Sequence, residues 1–494
     1  MSSILTNTSA MVALQTLKSV NSNLAGAQRE ISTGKSVESA KDNAAIWAIS
    51  KVMESDVKGF TAISGSLSLG ESTVAVARQG SETVTDLLTQ IKGKVVAAQE
   101  ENVDRSKIQT DITALREQIN SVVGAAQFNG LNLLQGTADV NVLSSLDRAS
   151  DGTVKASNIT VNRQDLSTAA GTFGSGTDLS ANAVLSAAAA TNAGNSATVT
   201  LAADVDYSAD TFQLNVAGAT LSFAAGDLTG NQDAAAATIS ASLNALGLTG
   251  VQASVATNVI TITSTRAFED VALSATKNGG GIDVTVSAAT IAERAENITF
   301  SAGAAVKEGD GYQISVGGTA FSYIAAKGET FADVAAGLKI AVDGGAISGV
   351  TTQVTKTAGG QSVLKIDNSS AVSVSLLRSG AEGGTASGGL FGLASIDVTT
   401  NSGADAALAN VESLINNSID AAASFGSVQG RIQTQSDFIG KLTDSLKSGI
   451  GTLVDANMEA VSARLQALQV QQQLGIQALS IANQAPQSVL SLFR

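Results

Sequence analysis

The stretch FTAISGSLSLGESTVAVARQGSETVTDLLTQIKGKVVAA, Phe60–Ala98, decides how the chain folds. Its apolar and small residues recur at alternating steps of three and four: Phe60, Ile63, Leu67, Gly70, Val74, Ala77, Ser81, Val84, Leu88, Ile91, Val95 and Ala98. A period near 3.5 specifies a helix packed lengthwise against other helices. At about 1.5 Å per residue it extends on the order of 60 Å. A shorter antiparallel partner follows through Ile108, Ile112, Leu115, Ile119 and Val122 and closes at AAQFNGLNLLQG, where Asn129-Gly130 signals a turn. Ahead of the long helix, before a break at STGKSVESAKDNAA, lies a first seam of Ala10, Leu14, Leu17, Asn21, Leu24, Gln28 and Ile31.

The same period returns from about Asp405 through Leu408, Val411, Ile415, Ser418, Ala422, Phe425, Gln429, Ile432, Ser436, Ile439, Thr443, Leu446, Ile450 and Leu453. A last helix then carries two seams, one of Val454, Met458, Val461, Leu465 and Leu468, the other of Ala463, Ala467, Val470, Leu474, Ala478 and Ile481. A helix striped on two faces has neighbours on more than one side.

Between these zones, roughly Ala138 to Thr400, the chain is rich in Gly, Thr, Ser and Ala, with period-2 runs such as ATVTLAADV and NVITITST that predict strands. It repeats itself: TFQLNVAGATLSF (Thr211–Phe223) aligns with GYQISVGGTAFSY (Gly311–Tyr323). In each copy alternate residues form one apolar face of a hairpin turning at Gly. A helical segment and two further strands follow, so the reading is of two related ββαββ units. The expected fold is therefore α plus β and multidomain, with long N- and C-terminal helices in a coiled-coil bundle and a β-rich central insertion. The expected divisions are 1–40 with 454–494, 41–165 with 401–453, 166–300, and 301–400.

Composition narrows the function. Hydrophobic residues make up 44% of the 494 but aromatics only 3%, which suits Ala/Leu seams and Val/Ile/Thr strands. The net charge of −14 opposes binding to nucleic acid or anionic lipid. There is no Cys and no His, which removes disulfides, thiol nucleophiles, His-based triads and His/Cys metal sites. The expectation is of no enzyme, no cofactor and no metal. The start, MSSILTNTSAMVALQTLKSV, lacks the basic and apolar regions of a secretory signal. Leu465–Phe493 is uncharged, but its Gln and Asn residues argue against a membrane span. STGKS resembles the tail of a phosphate loop, yet Arg29 stands where that loop needs Gly and no strand precedes it. DVDYSAD and EGDG lack calcium-loop spacing and read as solvated turns.

The ends pose an energetic problem. Ordering roughly 80 terminal residues costs about 1 to 2 kcal/mol each in backbone entropy, whereas each large apolar side chain returns about 1.5 to 3 kcal/mol when fully buried. A hairpin of the two terminal helices leaves the second stripe wet, so the ends are expected to fold when copies pack around them. Head-to-tail contacts that do not close into a ring generate a filament. The residues expected at the subunit interface are Leu14, Leu17, Leu24, Ile31, Val454, Met458, Val461, Leu465, Leu468, Val470, Leu474, Ile481, Leu490 and Leu492.

Three motifs now bring in a family. SAKDNAAIWAIS, with Ser39, Asp42, Asn43, Ala44 and Ala45, resembles the S-A-x-D-D/N-A-A-x-x-A-I of bacterial flagellins. FNGLNLL, with Phe128, Asn129 and Gly130, is similar to their F-N-G-x-x-L-L, and LSIANQAPQSVLSLFR, with Asn483 and Pro486, to their terminal L-x-Q-A-N-Q-x-P-Q-x-V-L-x-L-L-R, with Ile481 and Phe493 as departures. The likeness covers about residues 1–135 and 405–494. It implies the main subunit of the flagellar filament: a homopolymer outside the cell, exported without a cleaved signal peptide through the flagellar type III apparatus with a chaperone, and contacting cap and hook-associated proteins. It also implies terminal helices in an inner tube, the longer helices in an outer tube, and a solvent-facing insertion. The family's innate-immune recognition patch falls on Leu88–Ala97, where Gln90, Gly93 and Lys94 stand for Arg, Glu and Leu beside Leu88, Ile91 and Lys92. Loss of charge-assisted contacts there implies weak or absent receptor activation. A hook-filament junction or cap protein, or a secreted adhesin, is the alternative. The zinc protease insertions that some relatives carry require histidines that this chain lacks.

Overall fold

A computed structural model describes residues 7–148, 153–203, 206–278 and 284–491. Its α-helices are α1 Thr8–Thr33, α2 Ala44–Ala98, α3 Arg105–Ala125, α4 Gln232–Ala245, α5 Phe331–Gly344, α6 Asn401–Val454 and α7 Met458–Ser491. Two compact units divide the chain: residues 1–72, 140–161 and 427–494, and residues 73–139 and 162–426.

The stripe read from Phe60–Ala98 is the core of α2. Every member from Ile63 to Ala98 is buried, and Phe60 is half-buried. In the first unit the opening turns of α2 pack with the last turns of α6 and with a hairpin of strands Val140–Arg148 and Val154–Val161. Glycines on α2 admit that hairpin: a Cβ at Gly70 would lie 2.6 Å from Val142 Cγ1, and one at Gly59 2.8 Å from Leu146 Cδ1. Gln435 Nε2 on α6 donates to Ser144 O at 2.9 Å. In the second unit α3 and the first turns of α6 provide buried Ile112, Ile119, Val411, Leu414 and Phe425. The turn after α3 is as its sequence suggests: Gln127–Phe128 pairs with Leu131–Asn132, with Asn129 at φ 50° and Gly130 at φ 81°, the paired left-handed values of a type I′ turn.

The central region contains two modules, each of two antiparallel four-stranded sheets with one helix. In the first, one sheet has the order Val251–Ala256, Val259–Ser264, Asn195–Leu201, Val284–Val286, and the other Thr290–Ile291, Val271–Asn278, Thr211–Val216, Ala219–Phe223, with α4 against their common core. In the second, the orders are Val350–Lys356, Ser362–Asn368, Glu296–Phe300, Ala183–Leu185, and Thr319–Ile324, Gly311–Val316, Val374–Ala381, Ala189–Ala190, with α5. The repeated hairpins pair in the same register, Phe212↔Phe223 in one and Tyr312↔Tyr323 in the other. Phe212, Leu214 and Val216 are buried in one copy, Tyr312, Ile314 and Val316 in the other.

The repeat is longer than its sequence signal. A strand precedes each ββαββ run (Asn195–Leu201, Glu296–Phe300) and another follows it (Val271–Asn278, Val374–Ala381). The division expected at residue 300 therefore falls at the end of a second-module strand, because Glu296–Phe300 pairs with Ser362–Asn368. Two edge strands of that module, Ala183–Leu185 and Ala189–Ala190, come from before the first module, which is inserted between them and Glu296.

Gly337 on α5 lies under the Tyr323 ring, where a Cβ would fall 2.2 Å from Cδ2. Ala is favoured over Gly in a helix by about 1 kcal/mol. The ring, however, is buried and its hydroxyl donates to Glu329 Oε1 at 2.8 Å, so it cannot yield. Gly337→Ala is expected to destabilise the second module by a net of about 1 to 2 kcal/mol. Calorimetric unfolding checks this, and an unchanged or raised transition would contradict it.

Candidate functional site: the terminal helix pair

Helices α1 and α7 pack against each other through a narrow seam. Val20, Ala27, Val461 and Leu468 are buried, with Leu24, Ile31, Ala456 and Leu465 partly covered around them. Gly475 permits close approach, since a Cβ there would lie 3.2 Å from Leu17 Cδ1. Polar pairs set the register: Gln472 Nε2 donates to Asn21 Oδ1 at 2.8 Å, and Asn7 Nδ2 donates to Ala482 O at 2.8 Å. Asn7 also caps α1, its Oδ1 accepting from Ala10 N at 3.0 Å.

At the other end of the pair, α1 stops at Gly34, whose φ of 71° suits a glycine and whose N–H donates to Glu30 O. The segment after it is bonded to the break between α6 and α7. Ser36 N donates to Val454 O at 2.7 Å, Ala456 N donates to Gly34 O at 2.9 Å, and Lys35 and Asp455 form an antiparallel bridge. The Ser36 hydroxyl adds a bond to Val454 O at 3.0 Å. The first family motif then starts α2. Asp42 Oδ2 accepts from Ser39 N, Ser39 Oγ and Glu38 N, and these bonds, the Ser39 N–H foremost, hold its carboxyl below the usual carboxylate range. Asn43 Oδ1 accepts from Ala45 N and Ile46 N, both at 3.1 Å.

The expected interface residues separate into two groups. Leu17, Leu24, Ile31, Val454, Val461, Leu465 and Leu468 are wholly or partly covered within the chain. Leu14, Val470, Leu474 and Ile481 are 56–68% exposed and Met458 is 43% exposed. Reading the sequence missed Met11, Val12 and Ile476, each more than half exposed, and the buried Val20 and Ala27. The position of Val20 and Ala27, seven apart, was the available signal. An open groove of about 700 Å³ lies between the helices, lined by Thr8, Ser9, Val12, Ala13, Ala478, Ile481 and Ala482. Asn483 is exposed on α7, Pro486 and Leu490 fall within the same helix, and Leu492 and Phe493 lie outside the described residues, as does Asp204 of the DVDYSAD turn.

In the second unit, Leu88 and Ile91 are core residues of α2, while Gln90 and Gly93 face solvent. Lys92 Nζ pairs with Glu412 of α6 at 2.5 Å and Lys94 Nζ with Asp111 of α3 at 2.5 Å. Both lysines are thus engaged by neighbouring helices.

An aspartate at position 474 would sit in water in the isolated chain, so Leu474→Asp is expected to change folding stability by no more than about 0.5 kcal/mol while abolishing self-association. Leu468→Ala, inside the pair, is expected to loosen the pair itself by about 2 to 5 kcal/mol. Circular dichroism and light scattering of both variants distinguish these effects.

Comparisons with known proteins bear on the same segments. The models of the bacterial flagellin N-terminal and C-terminal helical regions match residues 4–139 and 408–493. Flagellin A of Rhizobium meliloti is 34% identical over 500 residues, spanning 100% of both chains. Flagellin D of Rhizobium meliloti strain 1021 is 30% identical over 503 residues, again over 100% of both. Among solved structures, flagellar hook associated protein-3 of Legionella pneumophila covers 82% of this chain and 98% of its own at 9% identity, with a TM-score of 0.33 that carries no argument. Matched from end to end by flagellins, and carrying their two helical regions in the order that builds the α1–α7 pair, this chain belongs to the bacterial flagellin family.

Proposed function

We propose that α1 and α7 are the polymerisation element of this flagellin. The chain is a structural subunit of the flagellar filament, which is extracellular. The observation that supports α1 and α7 in that role is the set of large apolar side chains left more than half exposed along the pair, Met11, Val12, Leu14, Val470, Leu474 and Ile481. Burying the exposed parts of these six side chains contributes about 5 to 10 kcal/mol. Rigid-body association costs about 4 to 15 kcal/mol. The two ranges overlap, so a single contact leaves little net gain, and the exposed side chains suit a helical lattice in which each subunit meets several others.

On this reading residues 1–40 and 454–494 line an inner tube, 41–165 and 401–453 an outer one, and the two modules face solvent. The chain travels through the flagellar export apparatus with a chaperone, and its filament meets cap and hook-associated proteins. Seeded growth of the full chain, compared with one trimmed of residues 1–33 and 458–494, tests the assembly role. Only the full chain is expected to form filaments by electron microscopy. Growth of the trimmed chain would remove the terminal pair from assembly.

The recognition patch supports a second expectation. Its side chains on this surface are Gln90, without charge, and Lys92 and Lys94, already paired with Glu412 and Asp111. Purified subunit is expected to activate the innate-immune flagellin receptor weakly or not at all in reporter cells, and full activation at low dose would refute this.

A further inference from the structure

In the second module a lysine, an asparagine and a glutamate meet across two neighbouring strands. Asn297 and Lys365 are direct antiparallel partners, a placement that brings their Cβ atoms to about 5 Å. Glu293, on the segment leading into the Asn297 strand, bridges them. Its Oε2 accepts from Lys365 Nζ, and its Oε1 accepts from Asn297 Nδ2 at 3.1 Å. The lysine and glutamate side chains are 15% and 8% exposed. Asn297 Oδ1 is buried without a hydrogen-bond partner among the described residues, an arrangement that native structures rarely leave unexplained.

The backbone holds the group in place. Glu293 N donates to Asp270 Oδ1 at 2.9 Å, its carbonyl accepts from Asn195 Nδ2 at 2.7 Å, and Asn297 N donates to Ser186 Oγ at 2.7 Å. The adjacent Arg294 and Asp367 form a two-pronged pair at 2.7 Å.

We propose that Lys365 and Asn297 join in an intramolecular isopeptide bond, with Glu293 carrying the protons. The Lys365 ammonium passes a proton to Glu293 Oε2, and the freed Nζ lone pair attacks Asn297 Cγ, forming the new C–N bond. Glu293 hands the proton to Nδ2, the old C–N bond breaks, and the nitrogen departs. The second ammonium proton follows by the same carboxylate, so ammonium leaves and Glu293 is an anion again. No oxidant or co-reactant enters. Well-oriented intramolecular reactions reach effective concentrations of about 10⁵ to 10⁸ M, the advantage that such a fixed pairing can draw on.

A second buried lysine has the same kinds of neighbour and differs where it matters. Lys339 Nζ lies 2.6 Å from Asp343 Oδ2 and donates to Asn410 Oδ1 at 2.7 Å. There the amine directs a hydrogen, not its lone pair, toward the amide, and the other Asp343 oxygen accepts from Thr352 instead of touching the leaving nitrogen. The bond is assigned to Lys365 alone. It would tie together the two central strands of one sheet and close the intervening chain into a loop, restricting the unfolded state as a disulfide does in a protein without cysteine.

Mass spectrometry of the denatured full-length chain tests the assignment. The expected mass is that of the sequence less one ammonia, with a branched tryptic peptide joining Ala295–Lys307 to Thr357–Arg378, uncut after Lys365. Full sequence mass with cleavage after Lys365 would overturn the proposal. So would an ammonia loss confined to a linear peptide at Asn129-Gly130 or Asn278-Gly279, which marks a succinimide, or a branch at Lys339. Glu293→Gln, shown folded by circular dichroism, is expected to lose the branch completely, and an undiminished branch would remove Glu293 from the reaction. Lys365→Arg keeps the charge but cannot form the bond, and it gives the unlinked reference if the first variant does not fold.

Discussion

Two hydroxyls and a backbone carbonyl, bonded across α2 and α6, fix the alignment on which the second unit depends. Ser418 of α6 donates to Ser81 O of α2 at 3.0 Å, and Thr85 Oγ1 donates to Ser418 Oγ at 2.9 Å, inside an otherwise apolar seam. Hydrophobic contact alone tolerates a slip of one turn, since Val, Leu and Ile recur along both helices. A slipped alignment would strip the buried Ser418 hydroxyl of both cross-helix bonds, at about 1 to 3 kcal/mol. The seam thus has one low-energy register. The return of α6 beside α2 sets where the chain must come back after its long excursion.

That excursion is two versions of one plan with different cores. The first module is filled mostly by Val, Leu, Ile and Ala around α4. The second concentrates aromatic rings: Phe331 stacks on Phe300 with centroids 5.5 Å apart, Tyr312 meets both edge-on, and Tyr323 packs on Phe391. Aromatic residues are 3% of the chain, so this is a local concentration rather than a consequence of overall composition. It coincides with the buried charged groups Glu293, Lys339 and Asp367, whereas the first module buries the ion pair of Lys277 with Asp210, its ammonium 4.5 Å from the centre of the Tyr207 ring.

The helices were legible because their signal is long and uniform. A stripe from Ile63 to Ala98 survives any single exception, and the polar members Ser81 and Ser418 belonged to it by position. The first helix was harder. Its stripe through Leu14, Asn21 and Gln28 is a position away from the packed one through Val20 and Ala27, and alanine contributes too little contrast to choose between them. The module strands at Ala183–Leu185, Ala189–Ala190 and Glu296–Phe300 are short, and their partners are distant in the chain, so no local pattern marks them. The Lys365, Asn297 and Glu293 cluster was hidden for the same reason: two of its members come from neighbouring segments, and the third arrives only through strand pairing.

The paired breaks at Gly34–Val37 and Val454–Ala456 have a mechanical meaning. A single peptide strand between two helices is a swivel, because rotation about one or two backbone bonds turns one helix relative to the other at little energetic expense. Two strands bonded to each other through Ser36, Val454, Gly34 and Ala456 cannot turn independently without breaking those bonds. The joint can flex across its width, but it resists winding. Torque applied to the long helices of this unit would reach the terminal pair as rotation instead of being lost in slack at the connection.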